Sequence, residues 1–95
     1  MEKIFAIAIA ALSATPGAAN TKFEVCMIVA EYAEVIMQTH QAGYPLARVL
    51  ENTPETMLQE VAIEAFSRTR YTTPQYQQQA VAAFRDEMHV TCLRS

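Results

Sequence analysis

From Lys22 onward, apolar and polar positions alternate with a helical period. Cys26, Val29, Ala33, Ile36, Met37 and His40 recur at spacings of three and four, which lines one face of a helix. Glu24, Glu31, Glu34, Gln38 and Gln41 fall mainly on the other side. The spacing predicts a helix over 22–42. Gly43 stands where a left-handed C-cap is wanted, and Pro45 lies just beyond, where the helix cannot continue. A short second helix is predicted over 45–51 on Leu46, Val49 and Leu50, ended by Asn52. Thr53-Pro54-Glu55 reads as N-cap, first helical position and acidic first turn. A third helix is therefore predicted over 54–68, with Met57, Leu58, Val61, Ala62, Ala65 and Phe66 buried. Thr73-Pro74 repeats the start signal and predicts a fourth helix over 74–93, its inner face Tyr76, Ala80, Val81, Phe84, Met88 and Cys92. No segment alternates as a strand does between turn signals. The expected fold is all-α, a small four-helix bundle with three long helices and one short.

The first stretch has a different pattern. Residues 1–19, MEKIFAIAIAALSATPGAA, place Lys3 before an apolar run from Ile4 to Ala14, then Pro16-Gly17, then two small residues. That is the layout of a secretory signal peptide, with cleavage expected after Ala19. The run is too short and too rich in alanine for a membrane span, which needs about 20 apolar residues. Two units follow: a signal peptide over 1–19 and a helical domain over 20–95. The expected location is periplasmic or secreted, with membrane attachment only through an uncleaved signal.

Export changes what the two cysteines mean. Cys26 lies near the start of the first helix and Cys92 near the end of the fourth, each on the apolar stripe. If these helices pack antiparallel, the two ends meet, and an oxidising compartment favours a Cys26–Cys92 disulfide.

Composition narrows the chemistry. The chain has 95 residues and a formal charge of −3, with 7 Lys+Arg against 10 Asp+Glu. A nucleic-acid binder would show a basic excess, so none is expected as partner. Gly43 is the only glycine beyond the leader, which excludes a glycine-rich phosphate loop. A Ser-His-Asp arrangement would have to draw on Ser67 or Ser95, on His40 or His89, and on Asp86, and nothing in their spacing supports one. Glu31 with Glu34, and Glu60 with Glu64, lie one turn apart on polar faces, solvated rather than desolvated as acid–base catalysis requires. Met37 and His40 could begin a soft-metal site, but Met37 reads as core and His40 as a cation at a helix C-terminus. His89 reads as exposed. No catalytic residue, metal or cofactor is expected.

The most suggestive surface feature is the connection Ser67-Arg68-Thr69-Arg70-Tyr71-Thr72. Two arginines and a tyrosine crowd a loop on an acidic chain, and Arg and Tyr are enriched at interface hot spots. Arg68, Arg70 and Tyr71 are the candidate partner-binding residues. The competing expectation is that the arginines bond the last carbonyls of the third helix while Tyr71 packs on the bundle. Tyr44, in the Gly43-Tyr44-Pro45 turn, is a second exposed candidate, and a face left apolar would allow a homodimer.

Ile36-Met37 with Gln41-Ala42-Gly43, then Glu64-Ala65-Phe66 leading to Arg70-Tyr71, then Phe84 with the closing Cys92, form a line along nearly the whole domain. This line resembles a group of small exported proteins of phage and proteobacterial genomes. The resemblance implies an envelope setting and no site residue. The expected function is non-enzymatic protein–protein interaction in the bacterial envelope, as in lysis control or superinfection exclusion. The alternative, on architecture alone, is a periplasmic acid-stress or holdase-type chaperone.

Overall fold

A computed structural model describes residues 21–95; the predicted signal peptide and its cleavage site lie outside them. Four helices follow one another: α1 (Lys22–Gln41), α2 (Leu46–Glu51), α3 (Thr56–Phe66) and α4 (Pro74–Arg94). The described residues contain no strand, and the fold is an all-α bundle.

Local chemistry sets the ends of α1. Thr21 is its N-cap, the Thr21 hydroxyl accepting from the Glu24 amide at 3.2 Å. At the other end Gly43 adopts φ 93°. The Gly43 amide donates to the His40 carbonyl and the Tyr44 amide to the Thr39 carbonyl, the paired bonds of a Schellman motif. The predicted left-handed cap is therefore present, with Ala42 as C-cap rather than last helical residue.

The third helix starts later than Thr53-Pro54 suggested. Its N-cap is Glu55, without a side-chain cap bond. Thr53 is buried instead. The Thr53 hydroxyl donates to the Val49 carbonyl at 2.9 Å, one turn back. With that proton committed, the Tyr32 hydroxyl donates to Thr53 Oγ1 at 2.8 Å. Tertiary hydrogen bonding wins over capping because a buried hydroxyl without a partner costs about 1–3 kcal/mol. The helix also ends earlier, at Phe66, with Ser67 as C-cap. At Thr73-Pro74 the expected start holds: Thr73 is the N-cap and Pro74 the first helical residue.

α1 is the central helix. It lies along α4 and against α3, whereas α3 and α4 hardly meet. The core joins Val29, Ala33, Ile36 and Met37 of α1 to Val49, to Val61, Ala62 and Ala65 of α3, and to Val81 and Phe84 of α4. Ala33, Ala62 and Ala65 are fully covered, so small side chains let α1 and α3 approach closely. Two predicted core positions lie at the surface, and one predicted polar position lies inside. Met57 and Tyr76 are exposed, at 50% and 55%. Gln41, assigned to the polar side, is buried.

Cys26 and Cys92 form the expected disulfide, with Cα atoms 5.5 Å apart. It ties the start of α1 to the end of α4, and the Lys22 ammonium donates to the Ser95 carbonyl beside it. The opposite end of the bundle carries the loop of interest.

Candidate functional site: the loop pole of the bundle

At this pole the turn after α1 and the loop between α3 and α4 lie side by side. Side chains of α1 and α4 hold the loop by its backbone. His40 Nε2 is 2.7 Å from the Arg68 carbonyl; a carbonyl only accepts, so this nitrogen carries the proton. The Gln41 amide nitrogen donates to the Thr69 carbonyl at 2.9 Å, and the Gln41 amide oxygen accepts from the Tyr71 amide at 2.8 Å. From α4, Gln77 donates to the Tyr71 carbonyl at 2.7 Å. Four backbone groups of an irregular segment are thus satisfied by side chains, which fixes its path without secondary structure. His40 was expected to act as a cap at its own helix end. Instead the His40 ring packs on Phe66, centroids 4.6 Å apart, and reaches across to the loop.

The three candidate contact residues play different parts. Arg68 turns inward along the bundle. The Arg68 guanidinium makes a two-pronged pair with Glu87, at 2.8 and 3.0 Å, and a third bond to Glu64 at 2.9 Å. It also sits 5.1 Å from the centre of the Phe84 ring. Neither arginine shows the expected bond to the last carbonyls of α3. Arg68 instead bridges α3 and α4, which hardly meet otherwise. The hydrogen bonds to Glu87, then to Glu64, raise the Arg68 guanidinium further above its usual range. The same bond to Arg68 holds the Glu87 carboxyl below its usual value. Both carboxylates are half-exposed, so each pair contributes at most about 1 kcal/mol.

Arg70 points to the other turn. A Cβ placed on Gly43 would come within 2.8 Å of Arg70 Nη2, so the guanidinium lies against the glycine. No carboxylate among the described residues pairs with Arg70. Tyr71 pairs with Tyr76 in a tilted arrangement, centroids 6.0 Å apart, and the two line a shallow cleft with Gln79, Ala80 and Ala83. Tyr44, Tyr71 and Tyr76 are exposed at 60%, 40% and 55%. The fourth tyrosine of the chain, Tyr32, is the one bonded inside to Thr53.

Near this pole Tyr76 and Gln41 lie where the helical pattern did not place them, Tyr76 exposed and Gln41 buried. Tyr76, in the first turn of α4, faces Tyr71 and the shallow cleft rather than α1, whereas Pro74 and Gln77 of the same turn lie toward Gln41 and Ala42. Gln41 sits on the last turn of α1, where the returning loop covers it. His89, expected to be exposed, is half-buried, and its Nε2 has no hydrogen-bond partner. Among the described residues no group of three His, Cys, Asp or Glu side chains could hold a metal ion. No known protein family, curated protein or solved structure matches the chain.

Proposed function

We propose that the chain is an exported helical domain that acts by binding another protein of the cell envelope, with the loop pole as its contact surface. The observation that carries this reading is the gathering of all three exposed tyrosines and Arg70 at one pole, around a loop whose backbone is pinned from two sides. Rigid aromatic side chains lose little entropy on docking, and Tyr with Arg is the composition of interface hot spots. Arg70 and Tyr71, with Tyr44 and Tyr76, are the contact residues. Arg68 supports them from below, its charge already paired. The disulfide favours an oxidising compartment, and no helix among the described residues is long and apolar enough to cross a membrane.

The test is site-specific photocrosslinking in cells that make the protein. A photoreactive residue in place of Tyr71 is expected to give a discrete adduct that Arg70→Glu abolishes. The same residue in place of Glu31 is expected to give none. Equal adducts from both positions, or none from Tyr71, would refute the contact surface.

A second reading, an acid-activated holdase, is favoured by one observation. Arg68 bridges α3 and α4 at one end of the gap between them, through a pair with Glu87 that needs that carboxyl ionised. Acid would release it and bare apolar side chains. A compact protein that binds no apolar dye at about pH 3 would exclude this reading.

A further inference from the structure

The gap between α3 and α4 is a second feature, independent of the pole. Both helices pack on α1 without closing on each other, and an open groove of about 480 Å³ lies between them. Its floor includes Val29, Val61 and Met88, with Met57 at one side. Val29 and Val61 are core residues, 4% and 7% exposed, so the groove reaches down to the core. Its walls carry Glu60 and Glu64 on α3 and Glu87 on α4. Arg68 blocks the pole end by taking Glu87 and one oxygen of Glu64. Lys22, at the disulfide end, is turned to the Ser95 carbonyl. Glu60 has no cationic partner among the described residues.

We propose that this groove receives a basic amphipathic helix of a partner protein, its apolar stripe on Val29, Val61 and Met88 and its Lys or Arg side chains on Glu60 and the free oxygen of Glu64. The groove runs from Met57 to Glu64 along α3, about 10 Å or two helical turns. That length accommodates apolar anchors at i, i+3 or i+4, and i+7. A helix suits it better than an extended segment. The walls are helices whose backbone groups are already bonded, so a strand would find no edge to pair with and would set its own N–H and C=O groups against an apolar floor. A second copy of the chain fits poorly. A two-fold contact would set the acidic rim against itself, and the exposed Ile28 and Val35 of α1 are interspersed with Glu24 and Glu31.

The probe is a synthetic amphipathic peptide of leucine and lysine, about four turns long, titrated into the oxidised protein by calorimetry. The counterpart peptide replaces each lysine by glutamate. Glu60→Lys and Met57→Lys alter exposed wall positions and leave the core intact. Glu31→Lys makes the same charge change as Glu60→Lys about 200° around α1 from Val29. The expected result is micromolar binding of the lysine peptide, weakened about tenfold or more by Glu60→Lys and by Met57→Lys. Glu31→Lys and a double Arg70→Ala, Tyr71→Ala variant should leave it unchanged, which separates the groove from the pole. The glutamate peptide should not bind. Equal weakening by Glu31→Lys would mean general attraction to an acidic surface and overturn the proposal. So would equal binding of both peptides, no binding at all, or a self-association that Met57→Lys abolishes.

Discussion

Gln41→Leu is the substitution that probes the pinned loop most directly. It keeps a buried side chain of similar size and removes both hydrogen bonds to the loop, to the Thr69 carbonyl and from the Tyr71 amide, together with a weak one to Met37 Sδ at 3.6 Å. Each such bond is worth about 1 kcal/mol net, and a backbone group left buried without a partner costs about 1–3 kcal/mol. Both sites are part-buried, so water can reach them after a small rearrangement, and the low end of the range applies. The expected loss is about 2–3 kcal/mol, a large share of the stability of a domain this small. The melting temperature should fall by about 10–20 °C, read by circular dichroism with the disulfide intact, and the Tyr71 amide should exchange faster with deuterium. Gln41→Glu sharpens the test. An ionised carboxylate accepts from Tyr71 but repels the Thr69 carbonyl; a protonated one donates and accepts as the amide does. The folded state therefore raises the pKa of this new carboxyl. Its stabilising contribution is full at low pH and is lost as pH rises through the raised folded value. The stability gap between Gln41→Glu and the parent should narrow on acidification. A loss under about 0.5 kcal/mol for Gln41→Leu, or a gap for Gln41→Glu that ignores pH, would refute the reasoning.

Three further outcomes follow from named contacts. Replacing Cys26 and Cys92 together by alanine removes a link between residues 66 apart in sequence; the chain-entropy model gives about 4 kcal/mol, so the thermal midpoint should fall by about 15–30 °C, and a fall under about 5 °C would contradict it. Gly43→Ala should cost about 1–2 kcal/mol, because Gly43 has φ 93° and Arg70 lies on it; Gly43→Asn should cost less, as urea midpoints would show. Glu87→Gln should cost about 0.5–1 kcal/mol at neutral pH, a figure kept small by the half-exposure of the pair. Arg68 holds the Glu87 carboxyl below its usual 4.5, so the contribution is full above that value and is lost as pH falls through the folded value; midpoints of variant and parent should converge in acid.

The repeated Thr-Pro pair shows how far local signals reach. At Thr73-Pro74 the helix begins where the dipeptide says, with Thr73 as N-cap and Pro74 its first residue, although the Thr73 side chain makes no cap bond. At Thr53-Pro54 the same dipeptide lies under Tyr32, and the hydroxyl turns to Tyr32 and Val49. α3 then starts at Thr56, with the Gln59 side chain reaching back to the Thr53 carbonyl at 2.7 Å. Arg68, Arg70 and Tyr71 stand out together by composition, yet their roles diverge. Glu87, nineteen residues beyond Arg68, decides that one guanidinium faces inward.

Read alone, the chain of residues determined the four helices, the C-cap at Gly43 and the pairing of Cys26 with Cys92. The helices and the cap rest on local preference or on a period that marks one face of a helix, information complete within a few turns; the pairing rests on there being two cysteines and on the antiparallel packing of the helices that carry them. The tertiary structure alone decided that Gln41 is a buried clamp, that Met57 and Tyr76 stay exposed, and that α3 and α4 leave a groove between them. A helical period says which face is apolar. It does not say how many neighbours arrive to cover that face, nor which distant carbonyl a side-chain amide will meet. Those depend on the angles at which helices cross and on where each one ends.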